Sequence, residues 1–345
     1  SSFRYGDKQG MVSTQELNLD YSFFSNHTFF HSAVAKTNEA FDQIINKYPF
    51  DGSNKEIESF EDSLTGFEKY VFDRFPKNKG YLVFSGSAAP GGGNSISVSD
   101  SQGATITSLA NASSKNGFQA LDPLKSDVMF QMHLKLPEIV NDNQVIIQKK
   151  INIANNMTLA LSQSDSTSSA EIFFGIQSGS NFNYAAMSVD KGEFFHLTAI
   201  YSPSTDQRIK LIKFDDSDVK TVVSSSVQTQ FANLQYGGNS LTIASGSTVR
   251  VNDQSLLFIP QETFSGSIDD LRYFKTIHSD DLIKRNRFRS VAGFENLNLY
   301  FKFNEPSGSY SGNDIALDSS GNSFNSRVEN YAVAFNRITG SDNPM

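Results

Sequence analysis

Apolar and polar residues alternate along most of the chain after position 80, and a period of two predicts β-strands. In the segment 127–136 every second side chain is apolar and lies on one face of the predicted strand. The residues on that face are Val128, Phe130, Met132, Leu134 and Leu136. Further strands are predicted at 145–149, 157–162, 171–177, 184–189, 194–201, 208–214, 220–225, 240–244 and 264–274. Clusters of Ser, Asn, Asp and Gly separate these segments, as is typical of a β-sandwich or barrel.

Before the strands, apolar residues recur with a different spacing. Residues 29–78 carry apolar side chains at spacings of three and four, which predicts two amphipathic helices that end at Pro49 and Pro76. A helical hairpin of this size is too small to be stable alone, so we expect it to dock onto another surface. The docking residues would be Phe41, Ile44, Ile57, Phe60, Leu64, Phe67 and Val71. Residues 1–28 are polar and irregular, and we interpret them as an N-terminal arm.

Two stretches near the ends of the β region are similar to each other. Phe84–Asp100 and Phe303–Asp318 each run from Phe through a Gly/Ser-rich loop to an Asp-Ser-x-Gly sequence. Between them, Ser279 followed by two Asp residues predicts the start of a short helix. We therefore assign residues 79–290 to one β domain. Residues 291–345 either begin a second similar module or supply strands that complete the sandwich.

Composition narrows the classes of function. The 345 residues include 30 Phe but no Trp and no Cys, so disulfides, thiolate metal sites and cysteine nucleophiles are excluded. The 37 acidic residues outnumber the 29 Lys and Arg residues, and the net charge of −8 disfavours binding to nucleic-acid phosphates. No apolar run approaches the roughly 18 residues of a membrane-spanning helix, so we expect no membrane insertion. Residues 1–10 lack the apolar core of a signal peptide. We expect a protein that is made in the cytoplasm and acts outside its cell.

Several motifs resemble those of laminin-G-like modules. NSLTIASGS and FSGSIDDLRYFKTIHSDDLI, residues 239–247 and 264–283, are similar to the closing strands of such modules. GEFFHLTAIYSPSTDQRIKLIKF, residues 192–214, is similar to their central strand pair, and LYFKFNEPSGSYSGNDIALDSSGN, residues 299–322, to their opening strand. The resemblance implies a mainly β, concanavalin-A-like antiparallel jelly-roll sandwich, here with an N-terminal helical hairpin. Such modules include carbohydrate binders, calcium-dependent adhesion domains and structural spacers.

The helical segment carries a second resemblance. SNHTFFHSAVAKTNEAFDQIINKYPFDG, residues 25–52, resembles a segment that precedes such modules in structural proteins of large tailed phages. We therefore predict a non-catalytic structural or decoration protein on a virion surface, with other virion proteins or copies of itself as partners. The alternative is a carbohydrate-binding adhesion module for cell-surface glycans. A glycoside hydrolase ranks last, because no predicted strand carries the Glu-x-Asp-x-Glu pattern of the related sandwich glucanases.

Four aromatic residues in polar segments are candidate glycan contacts, since ring faces beside Asn and Asp suit the stacking of sugar rings. They are Phe182, Tyr184, Tyr236 and Tyr310. The competing interpretation is that these rings cover the bases of loops as extensions of the core.

Oxygen-bearing residues at short spacing are candidate ligands of calcium, the one cofactor that the sequence suggests. Asp269 and Asp270 form one pair inside a predicted strand. Asp314, Asp318 and Asn322 form a second group in a Gly/Ser-rich loop. In both places the alternative is structural, because Asp and Asn side chains also bond to neighbouring backbone groups.

Overall fold

The computed structural model describes most of the chain from Gly80 onward. The described residues are 80–88, 92–99, 121–203, 208–226, 231, 234–237, 239–250, 257–288, 291, 296–305, 314–322, 324–332 and 337–338. The predicted arm, the predicted helical hairpin and its seven docking residues lie outside them.

Nineteen strands and one α-helix are present in the described part of the chain. The first eight strands are β1 (Tyr81–Ser85), β2 (Ser95–Val98), β3 (Val128–Lys135), β4 (Gln144–Asn152), β5 (Asn155–Leu161), β6 (Ser169–Ser178), β7 (Asn181–Asp190) and β8 (Phe194–Tyr201). The next seven are β9 (Ile209–Phe214), β10 (Lys220–Ser224), β11 (Leu241–Ile243), β12 (Val249–Arg250), β13 (Leu257–Phe258), β14 (Glu262–Thr263) and β15 (Ser265–Phe274). The helix α1 (Asp280–Asn286) precedes β16 (Leu297–Phe301), β17 (Ile315–Ala316), β18 (Ser326–Glu329) and β19 (Arg337–Ile338). Each strand predicted from the sequence overlaps one of these strands, with bounds that differ by a few residues.

The strands form two large sheets and a two-stranded ribbon. The first sheet has the order β10-β9-β8-β3-β15-β1-β19, and β16 also pairs with β15. The second sheet has the order β17-β18-β2-β11-β4-β5-β6-β7, and the short β14 runs parallel to β4. Strands β12 and β13 form the antiparallel ribbon.

The main hydrophobic core lies between the two sheets. The apolar face predicted for β3 is buried in it, together with the inward faces of β5 and β6. Phe130 of β3 lies edge-on to Phe174 of β6, with ring centroids 6.2 Å apart, so this contact joins the sheets. Phe130 also stacks on Tyr273 of β15 at 4.7 Å. The architecture is therefore a mainly β sandwich, and this level of the fold prediction is confirmed.

The described strands after residue 291 belong to the same two sheets. Strand β1 pairs with β15 only as far as Ile268, and β16 pairs with the remaining edge from Leu271 to Phe274. Strand β18 extends the second sheet beside β2. The described strands β16 to β19 therefore add to the two sheets of the sandwich, and the domain boundaries stay a prediction.

Helix α1 covers part of the outer face of the first sheet. The Ser279 hydroxyl accepts a hydrogen bond from Leu282 N at 3.3 Å, so the N-cap predicted from the sequence is confirmed. Ile283 belongs to a second apolar cluster with Met129 and Phe274 on that face. No helix among the described residues is both long enough and apolar enough to cross a membrane.

Strand β15 contains a bulge that the alternating pattern did not predict. Asp269 lies opposite His133 of β3, whereas Arg272 lies opposite Gln131, so β15 has one extra residue between these pairs. Asp270 occupies this place with a φ of +55°, in the left-handed region that Asp tolerates better than most residues. The bulge turns Asp269 and Arg272 to the same outer face, although a regular strand would separate them.

Candidate functional site

The outer face of the second sheet carries two rows of mainly polar side chains. Residues paired across antiparallel strands lie on the same face, and the registers of β11, β4, β5, β6 and β7 define both rows. The first row is Thr242, Gln148, Thr158, Gly175 and Tyr184, and the second is Lys150, Asn156, Gln177 and Phe182. The inward faces of the same strands supply the apolar core, so both rows lie on the side of the sheet that faces away from it.

A loop after β11 lies on these rows. The Gln148 side chain makes two hydrogen bonds to the backbone of Ser247, with its Oε1 accepting from N and its Nε2 donating to O, each at 2.9 Å. Lys150 Nζ donates to the carbonyl of Thr248 at 2.9 Å. Gln148 and Lys150 therefore fix the path of the loop above the sheet.

The ribbon that follows the loop is anchored by apolar contacts. Val249 and Phe258 pack against Val145, Ala160 and Phe173 on the same outer face. The rings of Phe173 and Phe258 lie edge to face with centroids 5.0 Å apart. The loop is therefore held by polar contacts at one end and by a small apolar cluster at the other.

A cleft of about 330 Å³ opens between the loop and strands β4 and β11. Its described lining is Gln148, Lys150, Ser240, Thr242, Ser245, Gly246 and Ser247. The side chains among them offer hydroxyl, amide and ammonium groups and no carboxylate. Gly246 lets the loop approach the sheet closely, because a Cβ at this position would lie 2.6 Å from the side chain of Val145.

An aromatic pair lies on the same face at the edge strand β7. The rings of Phe182 and Tyr184 stack with centroids 5.5 Å apart and an interplanar angle of 28°. Tyr184 is 51% exposed, whereas most aromatic side chains of the sandwich are buried. Its neighbour across the strand pair is Gly175, which has no side chain to cover the ring. The pair therefore presents an aromatic surface to a ligand.

The four predicted glycan contacts do not share one surface. Phe182 and Tyr184 lie together, as described above. Tyr236 is 1% exposed and belongs to the main core, so its ring has no face available to a sugar, and this prediction was wrong. It is buried because Asp122, itself buried, accepts a hydrogen bond from Tyr236 N at 2.8 Å and draws the segment inward. Tyr310 lies outside the described residues.

Both residues of the first candidate calcium pair are buried. Asp269, His133 and His196 occupy adjacent positions across three strands of the first sheet. Burial and the neighbouring charge of Asp270 raise the pKa of Asp269 well above its ordinary value. Asp270 itself forms a buried ion pair with Arg272. Asp270 therefore has a side-chain partner within the fold, and the calcium assignment of the pair stays a prediction.

The two histidines of this region are also buried. The rings of His133 and His196 lie edge to face, with centroids 5.2 Å apart. Burial, followed by the positive charges of its neighbours, lowers the pKa of His196 well below the ordinary value of histidine. The neutral form of His196 is therefore the form that the fold stabilises.

The second candidate calcium group has backbone partners. Asp318 Oδ1 accepts hydrogen bonds from Tyr300 N at 3.0 Å and Ser320 N at 2.9 Å, and Oδ2 accepts from Phe324 N at 2.9 Å. Asn322 Nδ2 donates to the carbonyl oxygens of Leu297 and Asn298 in β16, and Asp314 pairs with Arg327. No group of three or more His, Cys, Asp or Glu side chains in the described part of the chain is arranged to hold a metal ion.

The patterns in the sequence did not predict the residues that line the cleft. Thr242 Oγ1 donates to the carbonyl of Gln148 at 3.1 Å, although the two residues are 94 positions apart. Only the strand order, with β11 beside β4, brings them together. The nearest local signal is the Ser-Gly-Ser sequence at 245–247, which lies in the stretch that resembles the closing strands of laminin-G-like modules.

No family model matches the sequence, and no curated protein matches it. A protein from Bacteroides ovatus described as carbohydrate-binding aligns with a TM-score of 0.47 and 12% identity, over 77% of this chain and 61% of its own. The enzymatically active domain of tailspike protein 2 from bacteriophage CBA120 aligns with a TM-score of 0.39 and 14% identity, over 67% of this chain and 34% of its own. The CBM40 module of a Ruminococcus gnavus IT-sialidase, solved with α2,3-sialyllactose, aligns with a TM-score of 0.33 and 11% identity, over 56% of this chain and 96% of its own.

This chain thus spans less than two thirds of the Bacteroides protein. All three alignments have TM-scores below 0.5 and sequence identities below 15%.

Proposed function

We propose that this chain is a carbohydrate-binding module and that the outer face of its second sheet holds the glycan site. The observation that carries the proposal is the cleft between the 245–248 loop and the sheet, whose described lining consists of hydroxyl, amide and ammonium groups and a glycine. Sugars present hydroxyl groups in fixed directions, and a few precisely placed polar groups give a binding site its specificity. The hydrogen bonds from Gln148 and Lys150 to the loop hold this lining in place before a ligand arrives.

The aromatic pair supports the same proposal. Phe182 and Tyr184 lie on the face that carries the cleft, and the exposed ring of Tyr184 offers an apolar surface to the C–H groups of a sugar. The neighbouring strands contribute hydrogen-bonding side chains in the same rows. Ring faces beside polar groups suit a ligand that has both an apolar face and a rim of hydroxyls.

The proposed activity is binding without hydrolysis. Glycoside hydrolysis ordinarily uses two carboxyl groups that flank the scissile bond. The described lining of the cleft includes no carboxylate. The described lining therefore supports recognition, and binding without catalysis is part of the proposal.

The virion-surface role stays a prediction. It depends on the helical segment 29–78, which lies outside the described residues, and no described contact bears on a virion partner. A module that binds glycans would serve equally on a virion or in another extracellular setting.

A glycan array with the full chain tests the proposal. We expect binding to one class of glycan, weakened about two- to tenfold in Tyr184→Ala, because an aromatic contact contributes about 0.5–1.5 kcal/mol. Tyr184→Phe keeps the ring and should bind almost as well as the wild type. Thr242→Val, which removes a hydroxyl from the cleft, should also weaken binding.

Thr221→Val provides the matched control for Thr242→Val. Thr221 lies exposed on β10 at the edge of the first sheet, so its loss leaves the proposed site unchanged. Equal binding by Thr242→Val, Tyr184→Ala and the wild type would place the glycan elsewhere. Absence of binding to every glycan on the array would overturn the proposal.

A further inference from the structure

The alternation of β4 places two consecutive lysines on opposite faces of the second sheet. Lys149 points into the sandwich, where its Nζ lies 3.4 Å from Asp122 Oδ1. Lys150 points outward into the cleft, where its Nζ donates to the carbonyl of Thr248. One lysine therefore has a carboxylate as its partner and the other a neutral oxygen.

The charge of Lys150 has no counter-ion among the described residues. The described ion pairs of the chain use other lysines and arginines, and no described carboxylate lies within ion-pair distance of Lys150. An ammonium group has three N–H donors, and the hydrogen bond to Thr248 uses one of them. The other two are available to a ligand in the cleft.

The surroundings of this ammonium group are suited to an anion. The cleft residues Ser240 and Ser245 carry hydroxyl groups that can donate hydrogen bonds to an anion. The lining has one positive group and no described negative one, so an entering anion meets attraction without local repulsion. The negative net charge of the chain opposes an anion in the cleft only weakly, because salt screens charges that lie more than about 10 Å away.

The energetics of Lys150 favour the same kind of ligand. Burial of the side chain lowers the pKa of Lys150, because a partly buried ammonium group loses solvation. An anion at hydrogen-bonding distance would stabilise the charged form. Charge-assisted hydrogen bonds of this kind are stronger than those between neutral groups.

We infer that the cleft selects acidic glycans, with Lys150 binding a carboxylate or sulfate group of the sugar. This inference rests on the proposed glycan-binding function and specifies the class of ligand at the same site. Lys150 is a specificity-determining residue in it, and the hydroxyl groups of the cleft bind the remainder of the sugar. Uronic acids and sulfated sugars share the required chemistry, since each carries a negative group on a ring with hydroxyls.

The test is an array that carries acidic glycans beside neutral partners with the same backbone. Oligogalacturonate and its methyl ester differ only in methylation of the carboxylate, which removes the charge, and lactose 3-sulfate and lactose differ only in the sulfate. We expect the acidic member of a pair to bind at least about tenfold more tightly, since a hydrogen bond to a charged group is worth about 1.5–3 kcal/mol. The galacturonate and lactose pairs show whether the recognised group is a carboxylate or a sulfate.

Substitutions at Lys150 test whether the preference for acidic glycans arises in the cleft. Lys150→Met removes the charge and keeps much of the apolar stem, so the acidic preference should disappear. Lys150→Arg keeps the charge and should retain the preference. Lys220→Met, on the edge strand of the first sheet, removes one positive charge elsewhere and should leave the preference intact.

The outcomes separate this inference from the proposed function. Binding to acidic glycans that falls in Lys150→Met but not in Lys220→Met supports both. Preferential binding to neutral glycans, or an acidic preference that survives in Lys150→Met, overturns the role of Lys150 while glycan binding stands. No binding to any glycan on the array overturns both.

Discussion

Lys149 and Asp122 form an ion pair inside the sandwich, with Nζ 3.4 Å from Oδ1 and both side chains fully buried. Both residues also bond to the segment that precedes β11. Asp122 accepts from Tyr236 N, and Lys149 donates to the carbonyl of Asn239. The pair therefore fastens two connecting segments, around positions 122 and 236, to the inner face of β4. It also explains why the Tyr236 ring lies in the core.

Removal of one partner from this pair should be costly. In Asp122→Ala the charge of Lys149 stays buried without its carboxylate, so we expect the free energy of unfolding to fall by about 3–5 kcal/mol. Chemical denaturation of the full chain measures this loss, with unfolding monitored by the circular dichroism of the β-sheets.

The ion pair between Lys213 and Asp190 provides the matched control. Its atoms lie 3.0 Å apart, but Asp190 is 73% exposed, so Asp190→Ala should cost no more than about 1 kcal/mol. Equal losses in the two variants would show that burial does not set the contribution of the Lys149–Asp122 pair.

Single strands and the short helix could be predicted, because each is marked by residues that lie close together in the sequence. A period of two marks β3, and a Ser followed by two Asp residues marks the start of α1 at Ser279. The bulge at Asp270 could not be predicted in this way, since nothing in the alternation distinguishes an extra residue from a regular one. The consequence is large, because the bulge decides that Asp269 and Arg272 share a face.

The candidate site depends on contacts that no local pattern encodes. Gln148 bonds to Ser247 across 99 positions, and this contact shapes the cleft. The aromatic pair could be predicted in part, since Phe182 and Tyr184 are two positions apart and therefore share a face of any strand. Tyr236 has similar polar neighbours in the sequence, yet tertiary contacts bury it.

Asp318 should be important for stability. Its carboxylate accepts hydrogen bonds from three backbone N–H groups and from the Ser320 hydroxyl, and so fixes the loop against β16. Asp318→Ala leaves these donors without their acceptor, and we expect a loss of about 2–4 kcal/mol. Thermal unfolding should show a lower Tm, by about 2–4 °C for each kcal/mol in a domain of this size.

Asp314→Ala is the control for Asp318→Ala. Asp314 pairs with Arg327 at 2.9 Å, but the arginine side chain is 43% exposed, so the loss should not exceed about 1 kcal/mol. A Tm that falls equally in both variants would contradict the fold-defining role of Asp318.

The same contacts lead us to expect no stabilisation by calcium at this loop. A ligand that binds only the folded state at 100 times its Kd stabilises it by about 2.7 kcal/mol. Because both oxygens of Asp318 already accept backbone hydrogen bonds, calcium would have to displace them. We expect equal Tm values in millimolar calcium and in EDTA. A rise in calcium that disappears in Asp318→Ala would restore the calcium interpretation.

His196 should make stability fall at acidic pH. Its pKa in the folded chain is well below 6.5, so below about pH 6.5 the unfolded state binds a proton that the folded state does not. Its contribution is therefore constant above this pH and is lost as pH falls, by up to about 1.4 kcal/mol per pH unit. The difference in unfolding free energy between wild type and His196→Gln, measured from pH 8 to 5, should change with this slope.

Asp269→Asn provides a comparison in which the pH dependence of stability should have the opposite sign. Because the pKa of Asp269 is raised, its folded state retains a proton that the unfolded state has lost, and its contribution falls as pH rises. The advantage of Asp269→Asn over the wild type should therefore grow with pH. A His196→Gln difference that is flat with pH would show that His196 titrates alike in both states.

Substitution of Gly246 should reduce both the stability of the chain and its affinity for a glycan. A Cβ at this position would lie 2.6 Å from Val145 Cγ1, well inside normal contact, so Gly246→Ala must lift the loop from the sheet. We expect a loss of about 1–3 kcal/mol in stability, as for other overpacked sites, and weaker glycan binding because the cleft changes shape. Gly175→Ala is the matched control for stability alone, since its nearest contact would be an ordinary 3.5 Å to the ring of Phe182. Calorimetry measures stability and titration of the best array glycan measures affinity. Wild-type stability and affinity in Gly246→Ala would mean that the loop does not need its close approach to β4.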